Sequence, residues 1–240
     1  MKLSILVPVY NEARTLPLIL DKLFRLRIPD AELEFIFIDD ASGDDSSRIL
    51  EQWAAGRQNA RLVRHDRNRG KGAAVRTGLA CAAGEVVVIQ DADIEYDPAD
   101  LPAMMRPILA GEADVVFGSR NLLDNPRYSR IYYWGNLLLN ACVFLLYGKY
   151  VTDMETCYKM MKRRIFLDLN LRSNGFDIEP EITAKLLRRG IRIAEVPIHY
   201  VPRSRAEGKK ITAWDGLRAL WTLLKWRLAP AIYIWRGGGV

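Results

Sequence analysis

The chain has 240 residues, half of them apolar, which is enough to bury a sizeable core in one large α/β domain. It carries 35 Lys and Arg residues against 29 Asp and Glu residues. This basic excess favours an anionic partner such as a nucleotide or a phospholipid surface, although a solvated basic surface explains it equally well. The three cysteines are scattered without CxxC spacing and there are only two histidines. This argues against a disulfide framework, a structural zinc site and chemistry that uses several histidines.

The first half of the chain alternates short apolar segments with segments of helical spacing. The predicted elements are strand 3–9, helix 15–26, strand 33–39, helix 44–55, strand 60–64, helix 72–82, strand 85–90, helix 98–109 and strand 113–118. Such alternation predicts βαβ units and a parallel sheet covered on both faces. The chain begins with an apolar segment that has no small-residue cleavage site, so we expect a first strand there rather than a signal peptide.

Three predicted strands end in polar loops, at residues 10–12, 39–42 and 91–93. In open α/β sheets, ligands bind at the carboxyl ends of the strands. We therefore expect these loops to converge on one cleft.

The most informative of these loops contains Asp91, Asp93 and Glu95. In an extended segment, carboxylates at alternate positions lie on one side of the chain. Hard divalent cations prefer carboxylate and phosphate oxygens, and a metal here would neutralise a leaving diphosphate. The alternative is a polar loop in which Asp97 and Asp100 cap the next helix.

Other polar residues near the strand ends have two interpretations each. Asp39 and Asp40 either accept hydrogen bonds from a ribose or base or organise a helix cap. Lys71, at the start of a helix of small residues, either binds an anion or belongs to an ordinary tight turn. Arg120 and Arg130 either form a guanidinium pair for a phosphate or make surface salt bridges.

The second half of the chain has a different pattern. The apolar run 131–147 would span about 25 Å as a helix, against the roughly 30 Å of a bilayer core, and is marginal as a transmembrane span. After it we expect helix 180–189, strand 191–201, a basic loop at 203–210 and an amphipathic helix at 212–228. Aromatic residues flanked by Lys and Arg favour the headgroup region, so both apolar helices are predicted to be interfacial. Packing against each other or in a homodimer is the alternative.

Together these motifs resemble family 2 of the inverting glycosyltransferases, and within it the polyprenyl-phosphate, dolichol-phosphate mannose synthase-like branch. The matching segments are 7–12, 38–44, 68–72, 91–93, 118–120, 152–159, 176–181 and 207–210. The resemblance runs from Leu3 to about Arg227. It implies a GT-A fold with a mostly parallel sheet over residues 1–210, into which the interfacial helix 131–148 is inserted. Residues 211–240 would form a C-terminal amphipathic membrane-surface helix and tail.

The resemblance also implies roles for individual residues. Those expected to hold the nucleotide are Pro8, Tyr10, Glu12, Asp39, Asp40 and Lys71. Those expected to hold Mg²⁺ or Mn²⁺ on the diphosphate are Asp91, Asp93 and Glu95. Relatives often carry Gln at the position of Glu95, so the glutamate is expected to change the metal preference. Arg120 and Arg130 would grip the acceptor phosphate. The basic loop expected to close over the donor contains Arg203, Arg205, Lys209 and Lys210. The residues expected to carry catalysis are Asp93, Arg120 and Asp153.

The implied reaction moves a hexose, mannose or glucose, from a GDP- or UDP-sugar to a polyprenyl phosphate, with inversion at C1. A lipid phosphate is already an anion, so catalysis would consist of positioning and charge neutralisation. If the acceptor is a saccharide hydroxyl, a base is required, with Asp153 as the first candidate and Glu155 as the second. A non-catalytic nucleotide-binding scaffold is a third hypothesis. No motif supports nucleic-acid binding. The expected location is cytoplasmic, peripheral on the inner face of the cell membrane.

Overall fold

The computed structural model describes residues 1–126, 130–203 and 212–234, without the side chains of residues 130–132 and 213. Within these residues the chain forms one seven-stranded sheet. The strands are β1 (Lys2–Val9), β2 (Glu32–Asp39), β3 (Ala60–Arg64), β4 (Val86–Ile89), β5 (Val115–Ser119), β6 (Lys159–Lys162) and β7 (Ala194–Pro197).

The strands lie in the order β3-β2-β1-β4-β6-β5-β7. Neighbouring strands are parallel, except that β6 runs antiparallel to both β4 and β5. The prediction of a mostly parallel sheet is therefore confirmed. The carboxyl ends of β1, β2, β4 and β5 share one edge, and β6 begins at that same edge.

Apolar side chains cover both faces of the sheet. On the central strand β1, Leu3, Ile5 and Val7 pack into one core, while Leu6 packs into the core on the opposite face. Successive side chains of a strand point to opposite faces, so a strand that is buried on both sides must be apolar almost throughout.

Helices supply the other side of each core. They are α1 (Leu16–Arg25), α2 (Ser46–Ala54), α3 (Lys71–Cys81), α4 (Leu101–Leu109), α5 (Arg130–Tyr147), α6 (Arg163–Asp168), α7 (Ile178–Arg188) and α8 (Ala213–Leu228). Helices α1, α2 and α4 pack on one face of the sheet, and α3, α5, α6, α7 and α8 pack on the other.

Four elements of the second half differ from the sequence prediction. Strand β6 and helix α6 were not predicted, because the segment 159–168 is short, begins with charged residues and shows no clear period. Strand β7 covers only Ala194–Pro197 of the expected 191–201. Helix α7 begins at Ile178, two residues before the predicted start at Pro180. Proline is tolerated in the first helical turn, where the missing N–H has no partner within the helix.

Helices α5 and α8 pack against each other and leave apolar side chains exposed. The hydroxyl of Tyr147 donates to the carbonyl oxygen of Leu223 at 2.6 Å. Thr212 and Asp215 form a capping box at the start of α8, which fixes where this helix begins. Neither of these helices, nor any other in the described parts of the chain, combines the length and apolarity that a bilayer crossing requires.

Candidate active site

A cleft of about 1130 Å³ opens at the edge of the sheet where the parallel strands end. Tyr10, Asp40 and Asp91, one residue from each predicted polar loop, line it. The predicted convergence of these loops is thus confirmed. It follows from the parallel arrangement, which brings residues distant in sequence to one sheet edge.

Most of the predicted site residues contribute to this cleft. Those that line it are Pro8, Tyr10, Glu12, Asp40, Lys71, Asp91, Asp93, Glu95, Arg120 and Arg203. Two do not: Asp39 and Asp153 are buried behind its wall. The side chain of Arg130, together with Arg205, Lys209 and Lys210, lies outside the described residues.

Asp93 is the most electrostatically perturbed carboxyl group of the cleft. Burial and the nearby charge of Asp91 together raise the pKa of Asp93 to about 7, against the lowering effect of Arg203. The Glu95 N–H donates to Oδ1 of Asp93 at 3.0 Å and holds the side chain in place. Negative charge is therefore concentrated at this point of the cleft.

Arg203 compensates part of that charge. Its Nη2 atom forms an ion pair with Asp93, and its Nη1 atom lies 3.1 Å from Oε2 of Glu12. Its backbone N–H donates to Oε1 of Glu95 at 2.8 Å. One guanidinium therefore connects carboxylates that follow β1 and β4, and it engages Oδ2 of Asp93.

Lys71 compensates Asp91. Its Nζ atom lies 2.7 Å from Oδ1 of Asp91 and 3.1 Å from Oε1 of Glu179, which in turn pairs with Lys159 at 2.8 Å. Burial alone would lower the pKa of Lys71, but the two carboxylates raise it well above its usual value. Gly70 makes this turn feasible, because it has a φ of 90° and a side chain there would clash with the carbonyl oxygen of Asn174.

These pairings bear on the predicted metal site. Among residues 1–126, 130–203 and 212–234, no group of three or more His, Cys, Asp or Glu side chains is arranged to hold a metal ion. The predicted set of three carboxylates is thus not assembled: Glu95 accepts a hydrogen bond from the Tyr200 hydroxyl at 3.0 Å and holds Arg203. Asp91 and Asp93 still fit Mg²⁺ or Mn²⁺, because such an ion commonly uses one or two carboxylates together with phosphate oxygens of the substrate.

Asp39 and Asp40 organise loops. Asp39 accepts a hydrogen bond from the Ser42 N–H at 3.0 Å and another from the Ser47 hydroxyl. Asp40 accepts bonds from the N–H groups of Arg69 and Gly70, each at 2.8 Å, and lies 2.6 Å from Nδ1 of His65. The expected nucleoside contact through Asp39 is not supported, since the residue lies outside the cleft with both oxygens engaged.

Arg120 on the wall of the cleft forms a bidentate pair with Asp153, which is buried behind that wall. Arg120 Nε lies 2.6 Å from Oδ2 of Asp153, and its Nη2 lies 2.7 Å from Oδ1. Asn136 of α5 also donates to Oδ1, at 3.0 Å. Burial alone would raise the pKa of Asp153, but the charge and hydrogen bonds of Arg120 hold it below its usual value. This argues against the predicted alternative in which Asp153 is a general base, because a base must be able to take up a proton from the acceptor.

Tyr200 lies between the two charged regions of the cleft and was not identified from the sequence. Its ring lies under the guanidinium of Arg120, at 5.0 Å from the ring centre, while its hydroxyl donates to Glu95. Burial raises the pKa of Tyr200 above its usual value, so the hydroxyl remains a donor. The sequence feature that could have identified Tyr200 is its position just beyond the carboxyl end of β7, because the other site residues also follow strand ends.

The cleft also has an apolar part, lined by side chains of α5 and α8. These residues include Leu138, Leu139, Cys142, Leu217 and Leu220. The cleft therefore joins a carboxylate-rich region, a cationic wall at Arg120 and an apolar extension.

The sequence profile of glycosyl transferase family 2 matches residues 4–169. The chain belongs to this family. This glycosyltransferase is 29% identical to the undecaprenyl-phosphate mannosyltransferase of Micrococcus luteus, over 95% of its own length and 99% of the relative's. It is 27% identical to the dolichyl-phosphate beta-glucosyltransferase of Homo sapiens, over 98% of its own length and 78% of the relative's.

Solved structures agree with the predicted fold. Glucosyl-3-phosphoglycerate synthase from Mycobacterium tuberculosis, in complex with phosphoglyceric acid, superposes with a TM-score of 0.74 at 21% identity, over 95% of this chain and 81% of that one. The same synthase in complex with Mg²⁺ and uridine diphosphate gives a TM-score of 0.74 at 22% identity, over 95% of this chain and 80% of that one. The glycosyltransferase therefore has the GT-A fold, as the sequence resemblance implied.

Proposed function

We propose that this glycosyltransferase moves a hexose from a nucleotide diphosphate sugar to a polyprenyl phosphate at a membrane surface. The observation that carries the proposal is the composition of the cleft. A carboxylate pair suits a metal-bound diphosphate, Arg120 suits an acceptor phosphate, and the apolar extension between α5 and α8 suits a hydrocarbon chain. The relatives named above are called an undecaprenyl-phosphate mannosyltransferase and a dolichyl-phosphate glucosyltransferase, which agrees with such an acceptor.

Asp91 and Asp93 would hold Mg²⁺ or Mn²⁺ at the diphosphate. The bound metal would neutralise the charge that develops on the departing nucleoside diphosphate. The Nζ atom of Lys71 lies 2.7 Å from Asp91 and would supply further positive charge on that side. Pro8, Tyr10, Glu12 and Asp40 line the part of the cleft left for the nucleoside.

The acceptor would need no general base. A phosphate oxygen attacks C1 of the hexose, the bond between C1 and the diphosphate oxygen breaks, and the configuration at C1 inverts. Arg120 would hold the acceptor phosphate, and Asp153 and Tyr200 fix the position of its guanidinium. The protein contributes orientation and charge neutralisation, which are the main sources of catalysis in group transfer between anions.

A peripheral position at the membrane would deliver the acceptor to the cleft. Helices α5 and α8 expose large apolar side chains, among them Trp134, Leu145, Trp214, Trp221 and Leu228. An apolar face of this size beside the apolar end of the cleft fits the boundary between headgroups and acyl chains.

A direct assay tests the proposal. Purified protein with Mn²⁺ is offered GDP-mannose, UDP-glucose or another sugar nucleotide together with a short polyprenyl phosphate, and in parallel an oligosaccharide. We expect a glycosylated lipid phosphate with at least one donor. Transfer to the oligosaccharide alone would favour the saccharide-hydroxyl alternative and overturn the proposed acceptor.

A further inference from the structure

The loop that leads into β6, residues 152–158, is held firmly where it lines the cleft. The ammonium of Lys159 donates to the carbonyl oxygen of Met154 at 2.9 Å and also to that of Thr156. The Met154 N–H donates to Oδ1 of Asn140 on α5 at 3.0 Å. The residue between these two carbonyls therefore has little freedom to move.

That residue is Glu155, and its side chain lacks the partners that its neighbours have. Glu155 lines the cleft, and its Oε1 atom is buried without a hydrogen-bond partner among the described residues. Burying a carboxyl oxygen that accepts no hydrogen bond costs stability, so such a group in a folded protein calls for an explanation.

The charged groups around Glu155 do not form an ion pair or hydrogen bond with its buried Oε1 atom. Lys159 of β6 and Arg120 attract its negative charge, whereas Glu179 of α7 and Asp153 repel it. Both cations are committed elsewhere, Lys159 to Glu179 at 2.8 Å and Arg120 to Asp153 at 2.6 Å. Burial raises the pKa of Glu155 to about 7 in spite of Lys159. The two nearby cations therefore leave Oε1 of Glu155 without a hydrogen bond.

The position of Glu155 agrees with that of the transferred sugar. The sugar is bonded to the diphosphate and attacked by the acceptor, so it must lie between the groups that bind them. Glu155 interacts with Glu179, which contacts Lys71 on the diphosphate side, and also with Arg120 on the acceptor side.

We propose that Glu155 recognises the hexose of the donor by accepting hydrogen bonds from its hydroxyl groups, and that it thereby determines which hexose is transferred. The inference rests on the proposed function. A carboxylate held rigidly in a cleft discriminates between epimers, because moving one hydroxyl leaves the carboxylate unpaired again.

Binding measurements separate the sugar from the nucleotide. Titration calorimetry with Mn²⁺ compares UDP and GDP with UDP-glucose, UDP-galactose and GDP-mannose, for the wild type and for Glu155→Ala. We expect the affinity for the free nucleotide to change less than about twofold. The affinity for the preferred sugar nucleotide should fall about 10- to 100-fold, the usual effect of losing hydrogen bonds to a charged group, and epimer preference should shrink.

Glu34→Ala is the matched control. Glu34 is a half-buried carboxylate outside the cleft that accepts bonds from the Ser4 hydroxyl and, at 2.9 Å, from the Ala83 N–H. We expect this control to melt at a lower temperature without a change in sugar affinity. Glu155→Ala should melt no lower than the wild type, because the group it removes is unpaired.

Any of three results for Glu155→Ala would overturn this inference without affecting the proposed function. The first is a sugar-nucleotide affinity equal to that of the wild type, and the second is a melting temperature lowered as much as in Glu34→Ala. The third is a loss of sugar transfer with unchanged donor affinity, which would indicate a role in proton transfer. A wild-type protein that binds no sugar nucleotide would instead remove the proposed function and this inference with it.

Discussion

The guanidinium of Arg120 contacts both carboxylate oxygens of Asp153, at 2.6 and 2.7 Å, although the two residues are 33 positions apart in sequence. The side chain of Asp153 has no exposed area, whereas that of Arg120 is 18% exposed and reaches the cleft. The buried carboxylate therefore supports a cation that lines the cleft. The family resemblance implies that Asp153 takes part in catalysis. Its pairing with Arg120 gives Asp153 such a role without any proton transfer.

Asp153→Asn should destabilise the protein severely, because it leaves a buried guanidinium without its counter-charge. We expect the free energy of unfolding to fall by about 3–5 kcal/mol, measured by urea denaturation. Asp114→Asn is the control. It weakens partly exposed ion pairs with Lys162 and Arg164 and should cost less than about 1 kcal/mol. An Asp153→Asn protein of normal stability that has lost the acidic limb of its pH–rate profile would restore the general-base interpretation.

Asp93 should make the stability of the metal-free protein depend on pH. Its pKa of about 7 in the folded protein lies above the ordinary aspartate pKa of 3.8, so ionisation occurs at lower pH in the unfolded chain. Stability from this group is complete below about pH 4 and is lost as the pH rises towards 7. Between pH 5 and pH 7 the wild type should lose about 2 kcal/mol relative to Asp93→Asn, as measured by denaturant unfolding in EDTA. Parallel curves for the two proteins would contradict the raised pKa.

Arg203 should compete with a metal ion for Asp93. Removing its guanidinium in Arg203→Gln should raise the affinity for Mn²⁺ in the absence of nucleotide by about five- to tenfold, which corresponds to about 1–1.4 kcal/mol. Titration of free Mn²⁺ by electron paramagnetic resonance measures this directly. Lys22→Gln, which removes a cation paired with Asp97 at 2.7 Å outside the cleft, should leave the affinity unchanged. A weaker affinity in Arg203→Gln would show that the guanidinium does not occupy the metal position.

The exposed apolar residues of α8 should anchor the protein to lipid. Trp221 and Leu228 are 66% and 81% exposed, so replacing both with Glu should leave the fold intact. Sedimentation with vesicles that contain anionic lipid should then show binding reduced by about tenfold or more. Phe24→Glu is the control: Phe24 is 55% exposed but belongs to α1, which packs on the opposite face of the sheet. Equal sedimentation of all three proteins would exclude α8 as the anchor.

The parts of the site that follow parallel strands were predictable from the sequence. Strand periodicity located β1, β2, β4 and β5, and the rule that their carboxyl ends share one edge brought Glu12, Asp91 and Arg120 together. The positions of these residues along the chain were sufficient to predict that they share a site, because each lies in the loop that follows a strand.

The pairings inside the site were not predictable in the same way. Asp93 and Arg203 are 110 residues apart, and no local pattern indicates that they form an ion pair. Strand β6 was also missed: Lys159 and Lys162 at its ends suggest an exposed segment, yet Lys159 is fully buried because Glu179 and two carbonyl oxygens surround its ammonium. A buried charge with long-range partners leaves no hydrophobic signal in the sequence.

The reversed direction of β6 has a consequence for how this enzyme could diversify. Asp91 and Asp93, the residues proposed to hold a metal on the diphosphate, belong to the loop that leaves β4, so changing that loop also changes the exit of this strand. The loop at 152–158 instead enters the sheet through an antiparallel strand, beside the ends of its parallel neighbours. The side chain of Glu155 in this loop can be replaced while the strand ends proposed to bind the diphosphate stay in place. The choice of sugar can therefore evolve separately from the chemistry of the leaving group.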